Sequence, residues 1–308
     1  MEEGPCLEGA SRALKSLGGA AAPIAIMDSG VGGLPYLASA RQVLSAERYV
    51  YLADRAGFPY GTKTRAEIES ITLDRVRRLI EAFAPKAVVI ACNTASQASL
   101  AAVRDRFPGT PIVGTVPAVK PAAAKTASGV IGVMATEHAL VDPYLDELIS
   151  TFAAGSRVLR EPAQDLVAFV EHRLVHASAA ERRAAVQAHV KRLVDAGADE
   201  IVLACTHFLH IAEDIELAAR DLALDRAGGS GAAVHVVDSR DGVAHRLRDV
   251  LAEAGLLAVG PGAAAPPDAG GGRRDGVFIL SGPPPFEEVY SAFAERFGLL
   301  GPFSLDKA

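Results

Sequence analysis

Cysteine is scarce in this 308-residue chain, which holds three, at positions 6, 92 and 205. An odd, sparse set makes no disulfide framework, and no second thiolate pair has zinc spacing. No Lys/Arg run marks a nucleic-acid or anionic-membrane surface. The strongest basic cluster is Arg273-Arg274, and the net charge is -6. Direct nucleic-acid binding is therefore not expected. No apolar run reaches the ~20 residues that span a bilayer. Residues 1–20 open with two acids and lack the apolar core of a secretory leader. These absences predict a cytoplasmic protein with reduced thiols and no membrane partner. The acidic total still allows an acidic ligand, because backbone N–H groups at helix N-termini bind anions locally.

What is present suits a two-domain globular chain: half the residues are apolar and 22% are charged. Short apolar runs predict strands at 24–27, 49–52, 87–91, 112–113, 130–134, 157–159, 201–204, 234–237 and 277–280. Helical patterns lie between them, as at 65–83, 179–196 and 241–254. Such alternation argues for an α/β fold with mainly parallel sheets. Residues 1–20 read as a loose extension, and 258–276, rich in Gly, Pro and Ala, as a long surface loop.

The chain also echoes itself. Val88-Val89-Ile90-Ala91-Cys92-Asn93-Thr94 is similar to Ile201-Val202-Leu203-Ala204-Cys205-Thr206-His207. Each segment is a buried-type strand ending in Ala-Cys, with a threonine close behind and a helical stretch after it. Spacing of this size suits two related α/β halves rather than a short-period solenoid. Ligand groups in open α/β sheets sit just past strand carboxyl ends, where both cysteines fall. A lone Cys there is often core filler. A matched pair in polar turns before helices suits thiolate chemistry better.

Two further segments occupy strand ends. Asp28-Ser29-Gly30-Val31-Gly32-Gly33 lets backbone approach a ligand, but it has neither dinucleotide nor P-loop spacing, and its Asp would repel phosphate. That Asp could meet an ammonium group or serve a nearby thiol as proton partner. Pro59-Tyr60-Gly61-Thr62-Lys63 is either a plain turn or a second patch of donors.

Taken together, these motifs resemble glutamate racemase, within the aspartate/glutamate racemase superfamily. Val113-Gly114-Thr115-Val116-Pro117 and Val237-Asp238-Ser239 add support, and the likeness runs from about residue 23 to 300. The resemblance implies two pseudo-symmetric α/β domains with the active site in the cleft between them. The first would comprise 21–116 and 231–300, the second 117–230, with 301–308 a C-terminal tail. It implies one catalytic cysteine per domain, Asp28 assisting Cys92, and His207 with Glu171 assisting Cys205. Ser29, Pro59, Tyr60, Gly61, Asn93, Thr94, Thr206 and Thr136 would hold a small-molecule substrate, glutamate. No cofactor or metal is implied, and a homodimer is compatible with the family's varied pairing.

The chemistry fits. Inverting an α-carbon takes a proton from one face and delivers one to the other, so two acid–base groups are needed, one thiolate and one thiol at rest. The sequence departs from the family in three places. Ala139 stands where a second threonine is usual, Phe208-Leu209-His210 follows His207 in place of Tyr-Pro-Leu, and Glu161-Pro162-Ala163-Gln164 replaces a Cys-Pro stretch. Alternative readings are a racemase of another amino acid such as aspartate, and a non-catalytic regulatory binding protein. A zinc site from Cys205, His207 and His210, or from His172 and His176, is weaker, because Cys205-x-His207 continues a strand into a turn.

Overall fold

The computed structural model describes residues 7–226, 233–258 and 276–307. Cys6 and nearly all of the 258–276 stretch lie outside them. The chain divides into two compact units, one of residues 1–115 with 240–308, the other of 116–239. The first begins with α1 (Leu7–Lys15), β1 (Ile24–Asp28), α2 (Leu34–Val43), β2 (Tyr49–Ala53), α3 (Arg65–Phe83), β3 (Ala87–Ile90), α4 (Asn93–Arg106) and β4 (Ile112–Gly114). The second holds α5 (Val119–Lys125), β5 (Val130–Ala135), α6 (Glu137–Val141), α7 (Pro143–Phe152), β6 (Arg157–Pro162), α8 (Gln164–His172), α9 (Ala179–Asp195), β7 (Glu200–Leu203), α10 (Ala212–Arg226) and β8 (His235–Val237). The chain then returns to the first unit with α11 (Arg240–Glu253), β9 (Gly276–Leu280), α12 (Glu288–Arg296) and β10 (Leu300–Ser304).

Each unit is built on one sheet, ordered β10-β9-β2-β1-β3-β4 in the first and β6-β5-β7-β8 in the second. All the strand pairings are parallel. β1, β2, β3 and β7 are buried along their whole length. They therefore read as continuous apolar runs rather than alternating ones, as strands covered on both faces do. The order 2-1-3-4 in the first sheet repeats as 6-5-7-8 in the second, so the echo of the two Ala-Cys segments is an echo of topology. Helix starts follow local chemistry: Thr64 with Glu67 and Ser178 with Glu181 form capping boxes at α3 and α9.

Three expectations need correction. Residues 301–308 are not a tail, because β10 pairs with β9 at the sheet edge and buries Phe303 and Leu305. The N-terminal extension is not loose throughout. α1 packs on α3, with the Ser11 hydroxyl donating to the Ala82 carbonyl (2.7 Å) and the Lys15 ammonium to that of Glu81. Finally, the second unit does not end at 230. β8 bonds to β7, which carries that unit on to Ser239.

Candidate active site

In the first sheet the strand order turns at β1, with β2 on one side and β3 on the other. Such a point opens a crevice outside the strand carboxyl ends. Asp28 ends β1, and Cys92 follows β3 through Ala91, whose N–H still donates to the Met27 carbonyl at 2.8 Å. Cys92 is the N-cap of α4 and its sulfur accepts the Ala95 N–H at 3.5 Å. A helix N-terminus favours negative charge, so this sulfur sits where a thiolate is stabilised. The Ser29 hydroxyl oxygen lies 3.8 Å from it.

Asp28 moulds the glycine turn around its own carboxylate. Its Oδ2 accepts N–H bonds from Gly30 (3.2 Å) and Gly33 (3.1 Å). Position 33 tolerates only glycine, since a Cβ there would lie 2.8 Å from the Ala91 Cβ and 2.9 Å from the Asp28 Cβ. The bare backbone is what lets the ends of β1 and β3 approach. Ser29, Asn93 and Thr94 are all buried in the same neighbourhood.

The Pro59-Tyr60-Gly61 turn is held by a network that sequence reasoning missed. The Tyr60 hydroxyl donates to Asp54 Oδ2 at 2.6 Å, Arg75 Nε donates to Oδ1 at 2.7 Å, and the Ser281 hydroxyl also donates to Oδ1. Gly57 lets Asp54 in, because a Cβ at 57 would meet its Oδ2 at 2.1 Å. Burial pushes the Tyr60 phenol well above its ordinary range, and the charge and hydrogen bond of Asp54 and the charge of Cys92 add to this. Tyr60 therefore stays a neutral donor committed to Asp54. Beside it, Pro59 is half-buried and Gly61 buried. A polar residue directly after a buried strand was the available signal: Asp54 stands after β2 as Asp28 stands at the end of β1.

The second unit places its residues at the matching point. Its strand order turns at β5, which Thr136 follows, while Cys205 follows β7 through Ala204. Cys205 is the buried N-cap of a 3-10 helix, Thr206–Ile211. α8 packs against that turn and brings Glu171 to His207, with Nε2 to Oε2 at 3.0 Å. The carboxylate favours the proton on Nε2, which makes Nδ1 the acceptor nitrogen. Thr206 Oγ1 lies 3.5 Å from that nitrogen. Thr136 caps α6, its hydroxyl accepting the Ala139 N–H at 3.3 Å. Ala139 itself belongs to the unit's core.

The structure thus gathers Asp28, Ser29, Cys92, Asn93 and Thr94 at one switch point, and Thr136, Cys205, Thr206 and His207 with Glu171 at the other. The histidines of the zinc reading are not gathered. His172 is exposed at the end of α8, His176 lies in a separate turn, and His207 faces Glu171. Among the described residues no group of three or more His, Cys, Asp or Glu is arranged to hold a metal ion. No helix among them is long and apolar enough to cross a membrane.

Comparison with known proteins agrees with this geometry. A family model described as Asp/Glu/Hydantoin racemase matches residues 36–247. A glutamate racemase of Roseiflexus sp. is 40% identical over 237 residues, which is 77% of this chain and 82% of that protein. A glutamate racemase of Pseudomonas putida is 40% identical over 243 residues, 78% and 85% of the two. Among solved structures, Escherichia coli glutamate racemase, in complex with L-glutamate and the activator UDP-MurNAc-Ala, aligns with a TM-score of 0.73 at 29% identity, covering 90% of this chain and 96% of that one. With two α/β units of one topology and a cysteine at the switch point of each, the chain belongs to the Asp/Glu/Hydantoin racemase family and, within it, to the glutamate racemases, enzymes of the isomerase class.

Proposed function

We propose that the protein interconverts L- and D-glutamate with Cys92 and Cys205 as its two acid–base groups. One thiolate takes the Cα proton and becomes a thiol, and the electron pair left on Cα spreads into the α-carboxylate. The other thiol delivers its proton to the opposite face and becomes the thiolate. Atoms and charge balance, and one turnover exchanges the roles of the cysteines. Asp28 assists Cys92, and the His207–Glu171 pair assists Cys205. N–H and hydroxyl donors near the helix N-termini stabilise the developing charge, where losing one such donor typically costs about 3 kcal/mol of transition-state stabilisation. The scheme uses no metal or cofactor.

The observation that carries this reading is the equivalent placement of the cysteines. Each is a buried N-cap residue after a central strand, at the switch point of a sheet with the same order. The physiological reading that follows is a cytoplasmic supply of D-glutamate for peptidoglycan. The test is purified protein with L- or D-glutamate in heavy water and no added cofactor. Circular dichroism should decay to zero, with one deuterium appearing at Cα. Turnover of aspartate but not glutamate would overturn the substrate, and inertness toward both would overturn the activity.

A further inference from the structure

Helix α4 carries a buried polar face that its own packing does not explain. Ala95 and Ala98 point into the core of the first unit, together with Val103. Asn93 and Gln97, related as i and i+4, lie on the opposite face of the helix. A helix face turned away from its core is normally wet and charged. Here Asn93 is 2% exposed and Gln97 6%. Yet Asn93 Oδ1 and both Gln97 amide atoms, Oε1 and Nε2, lack a hydrogen-bond partner among the described residues.

Burying an amide unpaired costs about 1–3 kcal/mol, so a native protein seldom leaves one without a purpose. The backbone at Gln97 is also fixed, because Arg65 Nη2 donates to its carbonyl at 3.0 Å. Helical side chains lean toward the N-terminus, which tips the Gln97 amide back over Asn93 toward the Cys92 end of α4. The face then offers two acceptors, Asn93 Oδ1 and Gln97 Oε1, and one donor, Gln97 Nε2, within the first two turns of the helix that Cys92 caps. That set suits an amino-acid zwitterion, whose ammonium needs acceptors and whose carboxylate needs donors.

We propose that Gln97 is a substrate-binding residue that, with Asn93, holds a charged group of the bound amino acid beside Cys92. This rests on the racemase reading above, but its test is separable from it. Gln97→Met keeps the volume and removes the hydrogen bonds. In the ligand-free protein that change relieves an unpaired buried amide, so Tm should hold or rise. With substrate the lost contact should raise KM and the glutamate Kd about tenfold, leaving kcat within about threefold. Gln97→Ala should raise KM likewise and serves if the methionine variant does not fold. An amide held only by structural water would give the reverse pattern, a lower Tm with KM unchanged within twofold, and would overturn the proposal. Unchanged KM with unchanged Tm would overturn it as well. Failure of the wild type to turn over glutamate would strike the racemase reading instead, and calorimetric binding of glutamate to wild type and variant would still decide the role of Gln97.

Discussion

His207 Nε2 lies 3.0 Å from Glu171 Oε2, and both side chains are buried. The carboxylate thereby orients the imidazole that follows Cys205 in the same turn. Glu171→Gln keeps an acceptor but removes the charge. It should lower kcat by about a hundredfold, the lower end of acid–base effects, with KM changing far less. A racemisation has an equilibrium constant of one, so kcat/KM must fall by the same factor from L- and from D-glutamate. Circular dichroism started from each enantiomer reads both, and an unchanged kcat would remove the pair from the mechanism.

Replacing either cysteine should leave a one-sided enzyme. Cys92→Ser and Cys205→Ser should each lower racemisation by about 10² to 10⁴, the usual weight of a general acid or base. The remaining thiolate can still remove a proton from the enantiomer that faces it and return one to the same side. Each variant should therefore catalyse slow α-deuterium exchange of one enantiomer without inversion, and the two should favour opposite enantiomers. Mass spectrometry together with chiral chromatography separates exchange from inversion. Full racemase activity in either variant would sink the two-base scheme.

Much of the fold and of the candidate site is legible in the sequence, because parallel strands announce themselves as unbroken apolar runs, and Cys92, Cys205 and Asp28 stand at their ends. β10 was not legible, since Leu300-Gly301-Pro302-Phe303 mixes Gly and Pro. Such a sequence fits only an edge strand, and its register shifts between Leu300 and Phe303. The Glu171–His207 pair came from family resemblance alone, because partners 36 residues apart leave no local pattern. The Asp54 network joins positions 54, 60, 75 and 281 and exists only after folding. Gln97 carries no sequence signal beyond that of an ordinary polar helix residue, because its burial exists only after folding.

The Tyr60–Asp54 bond should leave an alkaline signature. Burial first, then Asp54, raises the Tyr60 phenol in the folded state. In the unfolded chain a tyrosine ionises near pH ~10. Below that pH the hydroxyl is neutral in both states and its contribution is fully present. Above it the unfolded chain loses the proton first, so stability falls as pH rises from the unfolded toward the folded value. Tyr60→Phe should destabilise the protein by about 0.5–1.5 kcal/mol near neutrality, the net worth of one hydrogen bond. It should also flatten the loss of stability above pH ~10. Urea titrations at pH 8 and 10.5 measure both, and parallel pH dependence in the two proteins would contradict the assignment.

The carboxyl-terminal strand makes the last prediction, and it separates a tail from a structural element. Phe303 and Leu305 pack in the core cluster of the first unit with Val277 and Ile279. The turn after the strand is tied to α3, with Arg78 donating to the Leu305 carbonyl at 2.9 Å and pairing with Asp306. Burying a Phe or a Leu contributes about 1.5–3 kcal/mol, so the two together supply about 3–6 kcal/mol. Whole-domain stability is only about 5–15 kcal/mol. A chain ending at residue 299 should therefore lose about 10 °C or more in Tm, or fail to unfold cooperatively. Phe303→Ala in the full chain should lose part of that without touching either cysteine. An unaltered Tm in the shortened chain, read by differential scanning calorimetry, would restore the view that these residues are a tail.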